Sequence, residues 1–153
     1  MNFLRRIGRN SIWAKGAIPV EEWKYRNFKR VVLPVYDLLV VLAGIAAIVW
    51  GMPSFQEIFP GEVVDALGWL LVFVAVICLL GVSFPRLWAI EILGKALLLG
   101  IIVAYIIALF GLAIQGVGTR EFVMVVVSMT LPIPVYRIGM LGTEIRDRRD
   151  DDA

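Results

Sequence analysis

Four charged side chains interrupt otherwise apolar sequence: Asp37, Glu91, Lys95 and Arg137. Ionisable groups inside membrane-length apolar stretches are costly. They are the first candidates for proton coupling, ion binding or pairing between helices. The rest of the chemical repertoire is thin. The chain has no His, which removes the commonest general base and metal ligand. Its one cysteine, Cys78, lies within an apolar run, makes no intrachain disulfide and reads as a small apolar packer. Ser and Thr are few and no cofactor motif occurs, so no enzyme is expected, and no catalytic, cofactor-binding or metal-binding residue.

Asp37 stands six residues into its apolar stretch counted from Val31, about 9 Å deep, and Arg137 four residues from the end of its own, about 6 Å deep. The local sequences Pro34-Val35-Tyr36-Asp37 and Pro134-Val135-Tyr136-Arg137 match. Opposite charges at similar depth predict an Asp37–Arg137 ion pair stapling the first stretch to the last. Unpaired, both would snorkel to the interface. Glu91 and Lys95 are spaced i, i+4 with the acid first, the better orientation for a pair on one helix. They predict either a neutralised pair at a membrane entrance or a Glu91 available for proton coupling.

The elements that must position these groups are membrane spans. The chain of 153 residues is 60% hydrophobic, above the usual range for a soluble globular domain. A bilayer core of about 30 Å takes about 20 apolar residues per helix. Four stretches qualify: 31–50, 66–82, 96–114 (extendable back to Leu87) and 122–141. Runs such as Leu70–Ile77 do not alternate polar with apolar residues, which excludes a barrel. The expected fold is all-α: an integral membrane bundle of four transmembrane helices over residues 31–141, preceded by an N-terminal amphipathic arm. About 30 residues precede the first span and no small-x-small cleavage site follows it, so it is expected to stay as an anchor.

Two features within the spans bear on packing. Ala96, Gly100, Ala104 and Ala108 recur every four residues, a stripe that lets helices approach closely, within the chain or in a homo-oligomer. Pro132 and Pro134 remove backbone donors and predict a kink or break, with Ser128 and Thr130 placed to satisfy freed carbonyls. That kink is either a gate or a fixed bend. No polar pore lining is evident, so any hole would need many copies or a hydrophobic constriction.

Charge sets the expected orientation. Of the 15 Lys and Arg, eight precede the first span, Arg86 and Lys95 fall between the second and third, and four lie at Arg137 and beyond. Arg120 alone falls on the opposite side, where the first loop carries Glu57, Glu62 and Asp65. The positive-inside rule then places both termini in the cytoplasm. Residues 1–30 read as two basic amphipathic pieces on the anionic inner leaflet: one with Phe3, Leu4, Ile7 and Ser11 in register, the other beginning at Pro19 with Trp23, Tyr25 and Phe28 as interfacial aromatics. They serve as a lipid anchor or oligomer contact, or simply carry the inside charge. No nucleic-acid partner is expected. Ser54 and Glu57 fit a capping box, predicting a short outer helix with Phe55, Ile58 and Phe59 dipping into lipid. Residues 142–153, of mixed charge, are expected to be a disordered cytoplasmic tail.

Taken whole, the basic arm Met1–Arg30, the four short-looped spans and the tail Glu144-Ile145-Arg146-Asp147-Arg148-Arg149-Asp150 resemble the holin-like four-span membrane proteins of actinobacterial phage lysis cassettes. The resemblance implies a protein of the bacterial inner membrane that accumulates harmlessly, then oligomerises into lesions and so assists host lysis. It carries over no catalytic residue. Two other readings stay open from the residues: a small transporter or channel subunit using Asp37 or Glu91, and a non-catalytic membrane anchor or scaffold docking through the arm.

Overall fold

The computed structural model describes residues 11–14, 23, 25–56, 59–84, 87–114 and 120–151. Every regular element among them is helical. A π-helical turn, Phe28–Val32, runs directly into α1, Leu33–Trp50. A one-turn helix α2, Pro53–Gln56, follows, then α3, Gly61–Ser83, and α4, Trp88–Ala113. The last crossing is made of two pieces, α5, Arg120–Ser128, and α6, Pro132–Asp151. Four helices are long and apolar enough to cross a membrane: Phe28–Trp50, Gly61–Ser83, Trp88–Ala113 and, across the break, Glu121–Thr143.

The first crossing starts earlier than the apolar run alone predicts. Phe28, Lys29 and Arg30 belong to the spanning helix, not to an arm lying beside it. The cause is a clasp at this end of the bundle. Arg30 donates from Nε to the Ile12 carbonyl (3.0 Å) and from Nη2 to the Ala14 carbonyl (3.0 Å). The Ile12 N–H donates to Ser83 O at the end of α3 (3.0 Å). The segment 11–14 is thereby tied to the start of one span and the end of the next. The amphipathic piece expected around Phe3–Ile7 and the Pro19–Glu22 start of the second lie outside the described residues.

The three prolines inside the membrane crossings leave carbonyls without their usual donor, and each carbonyl finds a substitute. Pro34 has no N–H to give Arg30 O, four residues back. The Trp13 indole N–H donates there instead (3.2 Å), and the local ladder shifts to π register, Leu33 N–H reaching Phe28 O. Pro134 has none for Thr130 O, and the Tyr36 hydroxyl donates to it (3.1 Å). Pro132 has none for Ser128 O, which accepts from Leu131 N–H (3.2 Å). The expected kink is thus a full break at residues 129–131, stitched to α1 by Tyr36. The Ser128 and Thr130 hydroxyls donate to Met124 O (2.7 Å) and Val127 O (2.6 Å), so both back-bond within their own piece.

Packing follows chain order: α1 lies chiefly against α3, α3 against α4, and α4 against α5 and α6. The buried centre is Tyr36, Val74, Cys78, Leu98 and Ile102. Gly44 and Gly68 form the α1–α3 crossing. A Cβ on Gly44 would stand 2.7 Å from Val72 Cγ2, and one on Gly68 would stand 2.7 Å from Ile48 Cγ1.

Outside the bundle the loops depart from expectation in two places. The short helix α2 forms, but Phe55 turns inward against Tyr105, ring centroids 5.0 Å apart, and is 8% exposed. An aromatic partner at that end of α4 offers more contact than lipid does. Phe59 stacks on Phe55 and stays exposed, while Ile58 is outside the described residues. Gly51 permits the turn into α2: its φ of 76° is a left-handed conformation that side chains resist. The tail is the second departure. Residues 142–151 continue α6 as helix, because extending an existing helix through Glu and Arg needs no new nucleation.

Candidate functional site: a buried four-charge cluster

The four charges that interrupt the apolar stretches all point into the bundle. Asp37 and Lys95 are 0% exposed, Glu91 1% and Arg137 5%. They come from three spans: Asp37 from α1, Glu91 and Lys95 from α4, Arg137 from α6. The partners are exchanged relative to the sequence expectation. Lys95 Nζ donates to Asp37 Oδ1. Arg137 grips Glu91 with two parallel bonds, Nε to Oε1 at 2.6 Å and Nη2 to Oε2 at 2.9 Å, the fork geometry that makes guanidinium–carboxylate contacts strong. Asp37 does not pair with Arg137, nor Glu91 with Lys95. Neither Asp37 nor Arg137 snorkels.

Depth explains the exchange. Counted from the ends of the four crossings nearest the chain termini, Asp37 is nine residues in, Lys95 seven, Arg137 six and Glu91 three. The deepest acid therefore meets the deepest base. Counting from Val31 hides this, because the helix begins at Phe28. The longer helix also moves Asp37 to within two residues of Leu39, the middle of its 23-residue span. Lys95 additionally lies over the Tyr36 ring, 5.5 Å from its centroid, a cation–π contact that helps hold the ammonium away from water.

Two glycines make room for the cluster. A Cβ on Gly81 would sit 2.6 Å from Glu91 Cβ and 2.8 Å from its Cα, so α3 can pass the start of α4 only without a side chain there. A Cβ on Gly94 would sit 3.0 Å from Cys78 Sγ. Cys78 is fully buried and fills the centre beside the cluster. The small-residue stripe predicted to pack is placed elsewhere. Ala96, Gly100 and Ala104 are exposed, Ala108 is half-buried, and no atom approaches within 4 Å of a Cβ built on Gly100. Within the chain the close approaches use Gly44, Gly68, Gly81 and Gly94 instead.

The cluster as a whole is neutral, two acids against two bases. One atom in it has no hydrogen-bond donor: Asp37 Oδ2, the single such buried side-chain oxygen or nitrogen among the described residues. No three His, Cys, Asp or Glu converge as a metal site among the described residues. Tyr36 is the functional-looking residue that sequence reasoning passed over. The signal was available in the repeated Pro-Val-Tyr, since a proline four residues beyond a carbonyl demands a donor from elsewhere. No protein family, curated protein or solved structure was found to match the chain.

Proposed function

We propose that this chain is a holin-like protein of the bacterial inner membrane, with both termini cytoplasmic, that acts by oligomerising and so permeabilises the bilayer or assists host lysis. The observation that carries the reading is where the charge goes. The four charges set in the bundle core, Asp37, Glu91, Lys95 and Arg137, are consumed there as a neutral set, while the large side chains on the outward faces are apolar. Most of each crossing faces outward, the last one most of all, with 11% of its apolar window buried. What such a molecule offers its surroundings is helix surface, including the outward Ala96-Gly100-Ala104 face of α4, where a second helix can approach closely. Exposed Trp13, Trp23 and Trp88 at the end that bears Arg26 suit an anionic inner leaflet.

Controlled expression in a bacterium tests this. A potential-sensitive dye should report abrupt collapse after a lag, at a time that depends on accumulated protein. Normal growth and potential at high membrane expression rejects the reading.

A second reading, a small proton- or ion-coupled transporter, is favoured by one specific arrangement. Asp37 lies near mid-span beside a crossing that is broken at 129–131, and discontinuous helices at the midplane commonly frame coupling sites. Proteoliposomes decide it: a pH gradient should drive uptake that Asp37→Asn abolishes.

A further inference from the structure

We infer that Arg30, held by the 11–14 clasp, is the centre of a binding site for the phosphate of one anionic phospholipid. Arg26 is its second cation and the Trp13 ring its apolar wall. This narrows the leaflet contact named above to a single site. It rests on the crossings alone, and not on the assembly reading or on which leaflet this end meets.

The guanidinium carries the inference furthest. Both bonds that it donates run to backbone carbonyls, Nε to Ile12 O and Nη2 to Ala14 O. They occupy one edge of the fork. A guanidinium has five N–H donors, and those left over lie along the Nη1–Nη2 edge, which can grip two oxygens of one phosphate. Carbonyls orient a cation without neutralising it. Among the described residues no carboxylate pairs with Arg30 or with Arg26. The charge on Arg30 is therefore fixed in direction and left uncompensated.

The clasp also preorganises the group. The Arg30 carbonyl accepts from Trp13 Nε1 (3.2 Å), and the Ile12 N–H fixes the same segment to Ser83 O (3.0 Å). A side chain already immobilised this way has little rotamer freedom left to lose when it binds.

The surroundings choose the anion. Arg26 stands four residues before Arg30, a spacing that sets the two on one side of a helix. It is exposed, with its guanidinium 5.7 Å from the centre of the Trp23 ring. Trp13 is exposed too, and its indole N–H is already used on Arg30 O, so the ring offers apolar surface outward. Val31 and Val32, next along the chain, are exposed as well. A phospholipid supplies both halves of the match at the end of a membrane crossing: phosphate for the guanidinium, hydrocarbon for the indole and valines. A net negative lipid suits two uncompensated cations better than a zwitterion, whose own ammonium they repel.

Tryptophan quenching in bilayers tests the site. The full chain carries Trp13 as its sole tryptophan, with Trp23, Trp50, Trp69 and Trp88, all exposed, changed to Phe. It is reconstituted in equal mixtures of phosphatidylcholine and phosphatidylglycerol, with brominated acyl chains on one lipid or the other. Quenching should be stronger when phosphatidylglycerol carries the bromine, with a preference of about fivefold for each guanidinium. Arg30→Lys keeps the charge but loses the fork and should cut that preference. Arg26→Gln touches no bond of the clasp and should cut it about fivefold. Arg120→Gln makes the same charge change where α5 begins and should leave it unaltered. Protection of the Ile12 amide from exchange shows whether the clasp persists in each variant. Where Arg30→Lys loses that protection, Arg26→Gln decides. Equal quenching by the two lipids in the parent chain overturns the site, as does an unchanged preference in Arg26→Gln. An equal loss in Arg120→Gln reduces it to diffuse surface charge and overturns it too. No lipid preference, with Trp13 responding instead to an added polyglutamate peptide, reassigns the surface to an acidic protein. Membrane-potential collapse in cells is read separately, and its absence counts against the assembly reading alone.

Discussion

The α1–α3 seam and the charge cluster hold helices together by opposite means. At the seam, Gly44 and Gly68 let two backbones touch with no polar side chain involved. Lipid tails are as apolar as the helices, so association there draws on dispersion from close approach. At the cluster, α6 lies against α4 with its crossing the least buried of the four, and the attachment is made by Arg137 on Glu91 and by Tyr36 on Thr130. The lesson is that a span with little complementary surface can be kept by a few polar contacts, because those groups have no partner in lipid.

The comparison breaks most sharply at Arg137. Arg137→Met leaves Glu91 as an uncompensated buried charge, and removing one partner of a buried pair costs about 3–5 kcal/mol. Unfolding in mixed detergent micelles should show that loss, with α6 released first under limited proteolysis. Next comes Gly81→Ala, where the new methyl meets Glu91 backbone and side chain. Overpacking of this kind costs about 1–3 kcal/mol by the same measurement. A smaller loss there than at Gly68→Ala, whose methyl meets Ile48 Cγ1 at 2.7 Å and no backbone atom closer than 3.4 Å, would mean the α3–α4 approach is softer than the glycine implies. Tyr36→Phe removes one donor from Thr130 O and should cost about 0.5–1.5 kcal/mol. Faster amide exchange confined to residues 129–135 is its signature. At the bottom stands Gly100→Ala, on open helix surface. It should leave monomer stability unchanged or raise it by up to about 1 kcal/mol through helix propensity. Any defect it causes in self-association, measured by concentration-dependent energy transfer in vesicles, then belongs to contacts between copies.

Much of this was readable before the fold was known, and the failures share a cause. The span cores, the break at Pro132 and Pro134 and the packing role of Cys78 follow from composition and from the chemistry of proline. The start of the first crossing did not, because Phe28–Arg30 are recruited by the 11–14 clasp, a contact between residues far apart in sequence. The stripe misled for a related reason. Four-residue spacing says that Ala96, Gly100 and Ala104 share a face, yet which face turns inward is set by the neighbours. On α4 the inward face is the one carrying Glu91, Lys95 and Leu98. Phe55 likewise turned to Tyr105 and not to lipid, since the position of Tyr105 above α2 is a tertiary fact.

By itself, the sequence determined that this is a helical membrane protein with four crossings, which side chains bear charge inside them, and where the last crossing must break. Each follows from local rules: the length of an apolar run, the cost of a buried charge, the missing N–H of proline. Only the tertiary structure decided that Asp37 pairs with Lys95 and Arg137 with Glu91, that Tyr36 and Trp13 supply the donors that Pro134 and Pro34 lack, and that Gly44, Gly68, Gly81 and Gly94 are the points of close approach. Those outcomes depend on the relative depth and rotation of whole helices, which no local pattern encodes. A difference of three residues in where a helix begins is enough to change which charge stands opposite which.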